Sequence, residues 1–408
     1  MSLAPLAHLV KFHSDRFIQA TGSSGPSASM WTYLWDIVDE GYDNVFRHLK
    51  DNGLDSVSLA TAYHAGKFLA PHNPKRKVVF PEDGTVYLSP KSSLYGRIRP
   101  LVNSLVKNGH SLESVKKAAD RLGMQTRSWV VCCHNTPLGV KYPEIVCRNV
   151  FGDPLHQNLC PCNDDVRKYL CALVADIDSH GVERIELEAL QFQGYAHGYH
   201  HEREGIALTP AARLLLGLCF CPSCMRRSKS HRFDLLLLKS YVRKALDGYF
   251  EDPIAGAQTL ADMGGLPSEL VEPFFEWRTA EVTSLLGEIA ASTRSANVRQ
   301  LLHVDPLARK LVSVDAAASA RTTGGILALG YVKDGEALRD PLATLQQQVG
   351  SAEITLGFQV GLPESGGKKE FLERMSVARE MGIKSFNFYN YGFVPLGNLQ
   401  WIKEAVGG

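Results

Sequence analysis

Apolar and polar positions along the chain alternate between two periods. Short runs rich in β-branched and aromatic residues occur at 30–36, 55–62, 126–134, 183–189, 298–305, 325–331, 353–360 and 384–391. Between them lie stretches with apolar residues at helical spacing, among them DNVFRHLKDNG, SLESVKKAADRLG, DDVRKYLCALVADIDSHG and KKEFLERMSVAREMG. These close on Gly53, Gly123, Gly181 and Gly382, the residue type that ends a helix before the next strand. Strand followed by helix, eight times over, predicts parallel strands closed into an α/β fold, a (β/α)8 TIM-like barrel. An open doubly wound sheet is the alternative, but no G-x-G-x-x-G follows the first run, so a dinucleotide site lacks its signature. Two stretches break the rhythm, at about 64–100 after strand two and about 190–297 after strand four. The first contains VVFPEDGTVYLSP, which reads as a β-hairpin over 78–90. The whole of 1–408 then reads as one barrel domain with two insertions on its catalytic face.

Inside a barrel, alternate strand residues point inward, and working groups gather at the C-terminal strand ends. On the fourth run Ile185, Leu187 and Ala189 suit the face covered by helices, so Arg184, Glu186 and Glu188 share the inner face. Glu186 is expected to pair with Arg184 inside the barrel, because a buried carboxylate needs a partner. Glu188, nearest the rim, is the candidate catalytic acid. The same alternation turns His303 and Asp305 inward and leaves Gln359 at the inner top of strand seven. Strand one is read to end at Asp36, strand two to run to His64, and strand three to run into His134 and Asn135. Strand eight closes on Tyr389, Asn390 and Tyr391, and the loop after strand four carries His197, His200 and His201. Asp305 and then Asp36 are the candidate second carboxylates. His64, His134, Asn135, His197, His200, His303, Gln359, Tyr389 and Tyr391 are the candidate substrate contacts.

Composition changes this picture in two places. The 408 residues carry a net charge of +1, with 45% apolar and 21% charged residues, so no global field recruits nucleic acid or an anionic membrane. No apolar run is long enough to span a bilayer and the first residues lack a signal-peptide pattern, so a soluble cytoplasmic protein is expected. A homo-oligomer is compatible with the sequence, and no organic cofactor is expected. The nine cysteines matter more. Cys219, Cys221 and Cys224 fall in one C-x-C-x-x-C loop, with Cys160 and Cys162 upstream; three thiolates plus one of those two would complete the tetrahedral shell of a structural zinc.

That loop resembles the zinc-binding loop of family 42 β-galactosidases, and the run HNTPLGVKYPEIVCRNVFGDPLHQNLCPCNDDVRKYL resembles a segment of hypothetical glycosyl hydrolases. The resemblance implies a glycosidase that works with two carboxylates, one protonated to assist the leaving oxygen. The chain departs from it where the chemistry is done. In that clan the strand-four acid follows an Asn, whereas Glu188 follows Leu187, and the strand-seven nucleophile is a Glu where this chain has Gln359. Two other readings therefore stand beside the glycosidase acting on a small carbohydrate. One is a metal-dependent lyase or isomerase holding its ion with Glu188, His303, Asp305 and a loop histidine. The other is a carbohydrate-binding barrel without catalysis.

Overall fold

The computed structural model describes residues 27–195, 202–260, 266–362 and 365–407. Eight parallel strands run in chain order: β1 (Ser27–Thr32), β2 (Ser56–Tyr63), β3 (Gln125–Val131), β4 (Arg184–Glu188), β5 (Asn297–His303), β6 (Gly325–Leu329), β7 (Glu353–Gln359) and β8 (Ser385–Tyr389). Each pairs with the next and β8 pairs with β1, closing a (β/α)8 barrel. The four anticipated helices form as Tyr42–Asp51, Leu112–Arg121, Asp164–Asp178 and Lys368–Glu380. The glycine that follows each adopts the left-handed conformation, which a side chain would strain. Among the described residues no helix is long and apolar enough to cross a membrane.

The stretch after β2 is built differently from its sequence pattern. Residues 78–90 do not fold back on themselves. Val78–Val79 pairs antiparallel with Phe68–Leu69, while Thr85–Val86 pairs antiparallel with Ala62 and Tyr63 at the end of β2 and parallel with Leu101–Val102. An open edge at the end of β2 offers unpaired backbone groups, and the second half of the segment takes it. The second interruption supplies a helical layer, including Pro210–Leu216, Pro222–Arg227, Leu235–Glu251 and Ser268–Ser292.

The barrel interior is polar in layers, and β4 spans them. At the base Arg184 and Arg299 grip the two oxygens of Glu353 on β7 at 3.0 and 2.7 Å, and Arg184 also donates to Thr355 Oγ1 at 2.8 Å. Glu186 in the middle layer is therefore not the partner of Arg184. Its carboxylate accepts from Trp31 Nε1 at 2.9 Å, Ser58 Oγ at 2.5 Å and Asn387 Nδ2 at 3.0 Å. The inner-face reading of β4 holds, but the ion pair runs across the barrel, because a long Arg reaches the facing strand while Glu186 sits one layer higher.

This rearranges what a substitution should do. Burial between two guanidiniums, offset against desolvation, pulls the Glu353 pKa down to about 2. Its stabilising contribution is thus present above the ordinary Glu range near ~4.3 and lost as pH falls towards 2. Glu353→Gln should cost on the order of 1–2 kcal/mol at neutral pH: it removes the main charge partner of the buried Arg184 and Arg299, but solvent screens a carboxylate that is 38% exposed, and both arginines keep other hydrogen bonds. Glu186→Gln should cost clearly less, since Asn387 Oδ1 is unpartnered and can turn to accept from the new amide. Urea midpoints of the two variants check this; equal losses would mean that Glu186 matters to the charge network after all.

Candidate active site

Of the eight strand-end residues, Thr32, Tyr63, Val131, Glu188, His303, Leu329, Gln359 and Tyr389, one is a carboxylate. Glu188 is half-buried, and its Oε2 accepts the indole N–H of Trp129 at 2.5 Å. Burial raises its pKa, opposed by the charge of His64 and by the Trp129 hydrogen bond. The result is a carboxyl biased towards its protonated form, with one oxygen fixed in direction.

Around it stands a wall of rings. Trp31 and Trp129 lie 5.9 Å apart, and Tyr389 meets each at 6.1 Å, edge-on. Tyr33 donates to the Tyr63 hydroxyl at 2.9 Å and lies 3.4 Å from that of Tyr389. Burial first, with the Glu188 charge among the further causes, keeps the hydroxyls of Tyr63, Tyr331 and Tyr389 above the ordinary phenol range; Tyr389 is raised to about 12. These groups therefore act as neutral hydrogen-bonding phenols. His64 stacks between Tyr63 at 4.3 Å and His134 at 4.9 Å. Its Nδ1 lies 2.7 Å from the Ala65 carbonyl, so Nδ1 carries the proton and Nε2 is the free ring nitrogen when the ring is neutral.

The remaining candidates divide by what their side chains already do. Asn135 caps the helix Thr136–Lys141, accepting from Leu138 N at 3.0 Å and donating to Gly84 O at 3.0 Å. Asp305 lies just past β5, exposed, and caps the helix Pro306–Val312 through Ala308 N at 2.8 Å. Desolvation holds the His303 pKa below that of a free imidazole. Gln359 ends β7 beside Tyr389. His134 is buried against the strand Pro154–Leu159 through a bridge to Asn158. His197, His200 and His201 lie outside the described residues. Trp31, Tyr33, Tyr63, Trp129 and Tyr331 complete the site and are not among the candidates that the strand-end pattern points to. The inner-face alternation that singles out Glu188 would have found Trp129, which stands beside the inward Glu186 in the register of β3 with β4.

Asp36 is not at a strand end. β1 stops at Thr32, and Asp36 lies in the first turn of the helix Leu34–Glu40, because Tyr33 takes the helix-capping position with its N–H on the Asp36 carboxylate at 3.4 Å. It belongs to a buried cluster behind the strand ends, in which Tyr391 donates to Glu40 at 2.8 Å and His72 pairs with Glu40 at 2.9 Å. Tyr391 is thereby tied to Glu40. Burial first, then the Glu40 charge, raises the Asp36 pKa to about 8. A raised carboxyl favours the fold when protonated, so its contribution is full below ~3.9 and falls away as pH rises towards 8. Asp36→Asn should accordingly unfold at higher temperature than wild type at pH 8, with the difference shrinking at pH 4. Equal gains at both pH values would show that ionisation at Asp36 is not the cause.

A second cluster lies between the barrel and the helical insertion. Cys160 follows the strand Pro154–Leu159, and Cys219, Cys221 and Cys224 run from a loop into the helix Pro222–Arg227. The loop is pinned by Phe220 N on Arg148 O at 2.8 Å. The four Sγ atoms lie within 4.8 Å of one another, all buried and none in a disulfide, and could hold a metal ion such as zinc. Of the two upstream candidates, Cys160 closes this set, while Cys162 is buried alongside. Among the described residues this is the one group of three or more His, Cys, Asp or Glu placed to share an ion.

No family model and no curated protein matches the sequence. Solved structures do. A β-galactosidase from the Antarctic haloarchaeon Halorubrum lacusprofundi superposes with a TM-score of 0.56 at 10% identity, over 93% of this chain and 57% of its own. A β-galactosidase from the psychrophilic Marinomonas ef1 gives 0.54 at 7% identity, over 93% and 59%. The α-L-fucosidase isoenzyme 2 from Paenibacillus thiaminolyticus gives 0.51 at 11% identity, over 94% and 49%. The likeness is one of fold. The chain spans 49% to 59% of the length of these proteins.

Proposed function

We propose that this chain is a glycosidase-like enzyme in which Glu188 donates a proton to the leaving oxygen of a sugar substrate. The observation that carries the reading is Glu188 itself, a carboxyl at a barrel strand end whose burial favours the protonated form and whose oxygen is oriented by Trp129. Water adds to the anomeric carbon as the glycosidic bond breaks, and Glu188 recovers a proton from solvent. Aromatic faces and phenol hydroxyls around it suit an uncharged sugar ring, which presents C–H bonds to one and hydroxyls to the other. That solved barrels of this shape include β-galactosidases and a fucosidase supports the reading. Asp36, protonated at neutral pH, and Asp305, engaged as a helix cap, are poor second carboxylates.

Gln359 favours a second reading, a barrel that binds sugar without cleaving it, because it stands where the resemblance calls for a nucleophile. A panel of aryl glycosides of neutral sugars separates the two. Release of the aryl group supports the glycosidase; saturable sugar binding without release supports the binding barrel. Neither outcome on any sugar overturns both.

We infer further that the cysteine cluster holds one structural zinc ion. A zinc–sulfur bond of about 2.3 Å sets tetrahedral sulfur–sulfur edges of roughly 3.8 Å. The Cys160 Sγ lies 3.6 Å from Cys221, 3.6 Å from Cys224 and 4.0 Å from Cys219. The site would join the insertion to the loop after β3.

A further inference from the structure

We propose that Arg278 is the charge partner of the cysteine cluster, compensating a metal bound by four thiolates. The proposal rests on the zinc reading above. Arg278 lies on the helix Ser268–Ser292 and is 2% exposed. Its guanidinium stands 4.3 Å from the ring of Phe192, with Phe275 and Phe274 at 5.3 and 5.5 Å. Nε and Nη1 reach no hydrogen-bond partner, and no described carboxylate forms an ion pair with it. Arginine cannot shed its proton to escape such a site. An uncompensated buried cation costs several kcal/mol, and aromatic faces return only about 2.

Phe220, between Cys219 and Cys221, lies ring to ring 6.3 Å from Phe274, one of the three rings around Arg278, which sets the guanidinium beside the cluster. Burial disfavours its charge, and the opposing influences all come from cysteines: Cys147 and Cys162, which lie outside the four-sulfur set, and Cys219 and Cys224, which belong to it. As neutral thiols they offer little. Four thiolates around a divalent ion carry a net charge of two negatives, which is the anion that Arg278 lacks. The neighbouring Arg227 does not compete for this role, since Glu281 at 2.7 Å and Asp164 at 3.3 Å already satisfy it. The sign of Arg278's contribution then depends on the metal. With metal bound it stabilises the site; with metal removed it is an orphaned charge.

The test begins with zinc content of the purified wild-type protein, then follows zinc transfer to a chromophoric chelator and the thiolate-to-metal charge-transfer bands after Co2+ substitution. Arg278→Met should release zinc ten- to a hundredfold more readily, the usual penalty for losing an outer partner of a metal site. It should also move the cobalt bands to lower energy, because thiolate lone pairs lose a stabilising cation. Arg278→Lys keeps the charge and should hold the bands near the wild-type position, which keeps the test open if the Met variant does not fold. Zinc present but retained equally by Arg278→Met, with unshifted bands, overturns the charge-partner role alone and leaves a packing residue. Bands displaced to lower energy in Arg278→Lys likewise overturn it. Wild-type protein without zinc overturns the metal reading and the proposal with it.

Discussion

Glu188→Gln should leave a folded protein that turns over its glycoside on the order of a hundredfold or more slowly. The amide keeps the shape of the carboxyl and still accepts from Trp129 Nε1, but it has no proton to give. The loss should shrink for substrates with good leaving groups, whose departing oxygen needs little protonation. The pH profile is a second readout. Burial raises the Glu188 pKa, so wild-type activity should fall as pH rises through that raised value, when the acid loses its proton. The variant should lack that limb. Steady-state kinetics on two aryl glycosides of different leaving-group acidity, across pH, measure all three effects. A fully active variant would remove Glu188 from the chemistry.

The largest effect on stability should come from the cysteine cluster. Removing zinc with a chelator, or replacing Cys221 by Ser, should lower the free energy of unfolding by on the order of 3 kcal/mol or more, because a metal that binds only the folded site contributes its binding energy to folding. Cys221 Sγ lies 3.6 Å from Cys160 Sγ, so a single serine breaks the set. Denaturant midpoints with and without chelator measure the loss in wild type, and Cys221→Ser should be insensitive to the chelator. A native mass equal to that of the bare chain, with every buried thiol alkylated in the folded protein, would dispose of the metal. Glu188→Gln should keep its zinc, so the catalytic and the structural tests can fail independently.

Much of the barrel is legible in the sequence alone, for a simple reason. Strand and helix periods are local, and each of the eight β-rich runs overlaps an observed strand. Alternation along β4 placed Arg184, Glu186 and Glu188 on the inner face because side chains in a strand point to opposite sides by geometry alone. The C-x-C-x-x-C loop was equally plain, since three of the four clustered cysteines lie within six residues.

Partners were another matter. That Arg184 reaches Glu353 rather than Glu186, that Asp36 sits in a buried cluster with Glu40 and His72, and that Asp305 caps a helix all depend on which strands and loops meet. The choice of Cys160 to close the set, the pairing of Thr85–Val86 with β2 and the isolation of Arg278 against three phenylalanines are of the same kind. Periodicity says which face a residue is on. Only closure of the barrel, which brings residues more than a hundred positions apart to within 3 Å, decides what stands opposite and so which charges are satisfied and which are left to act.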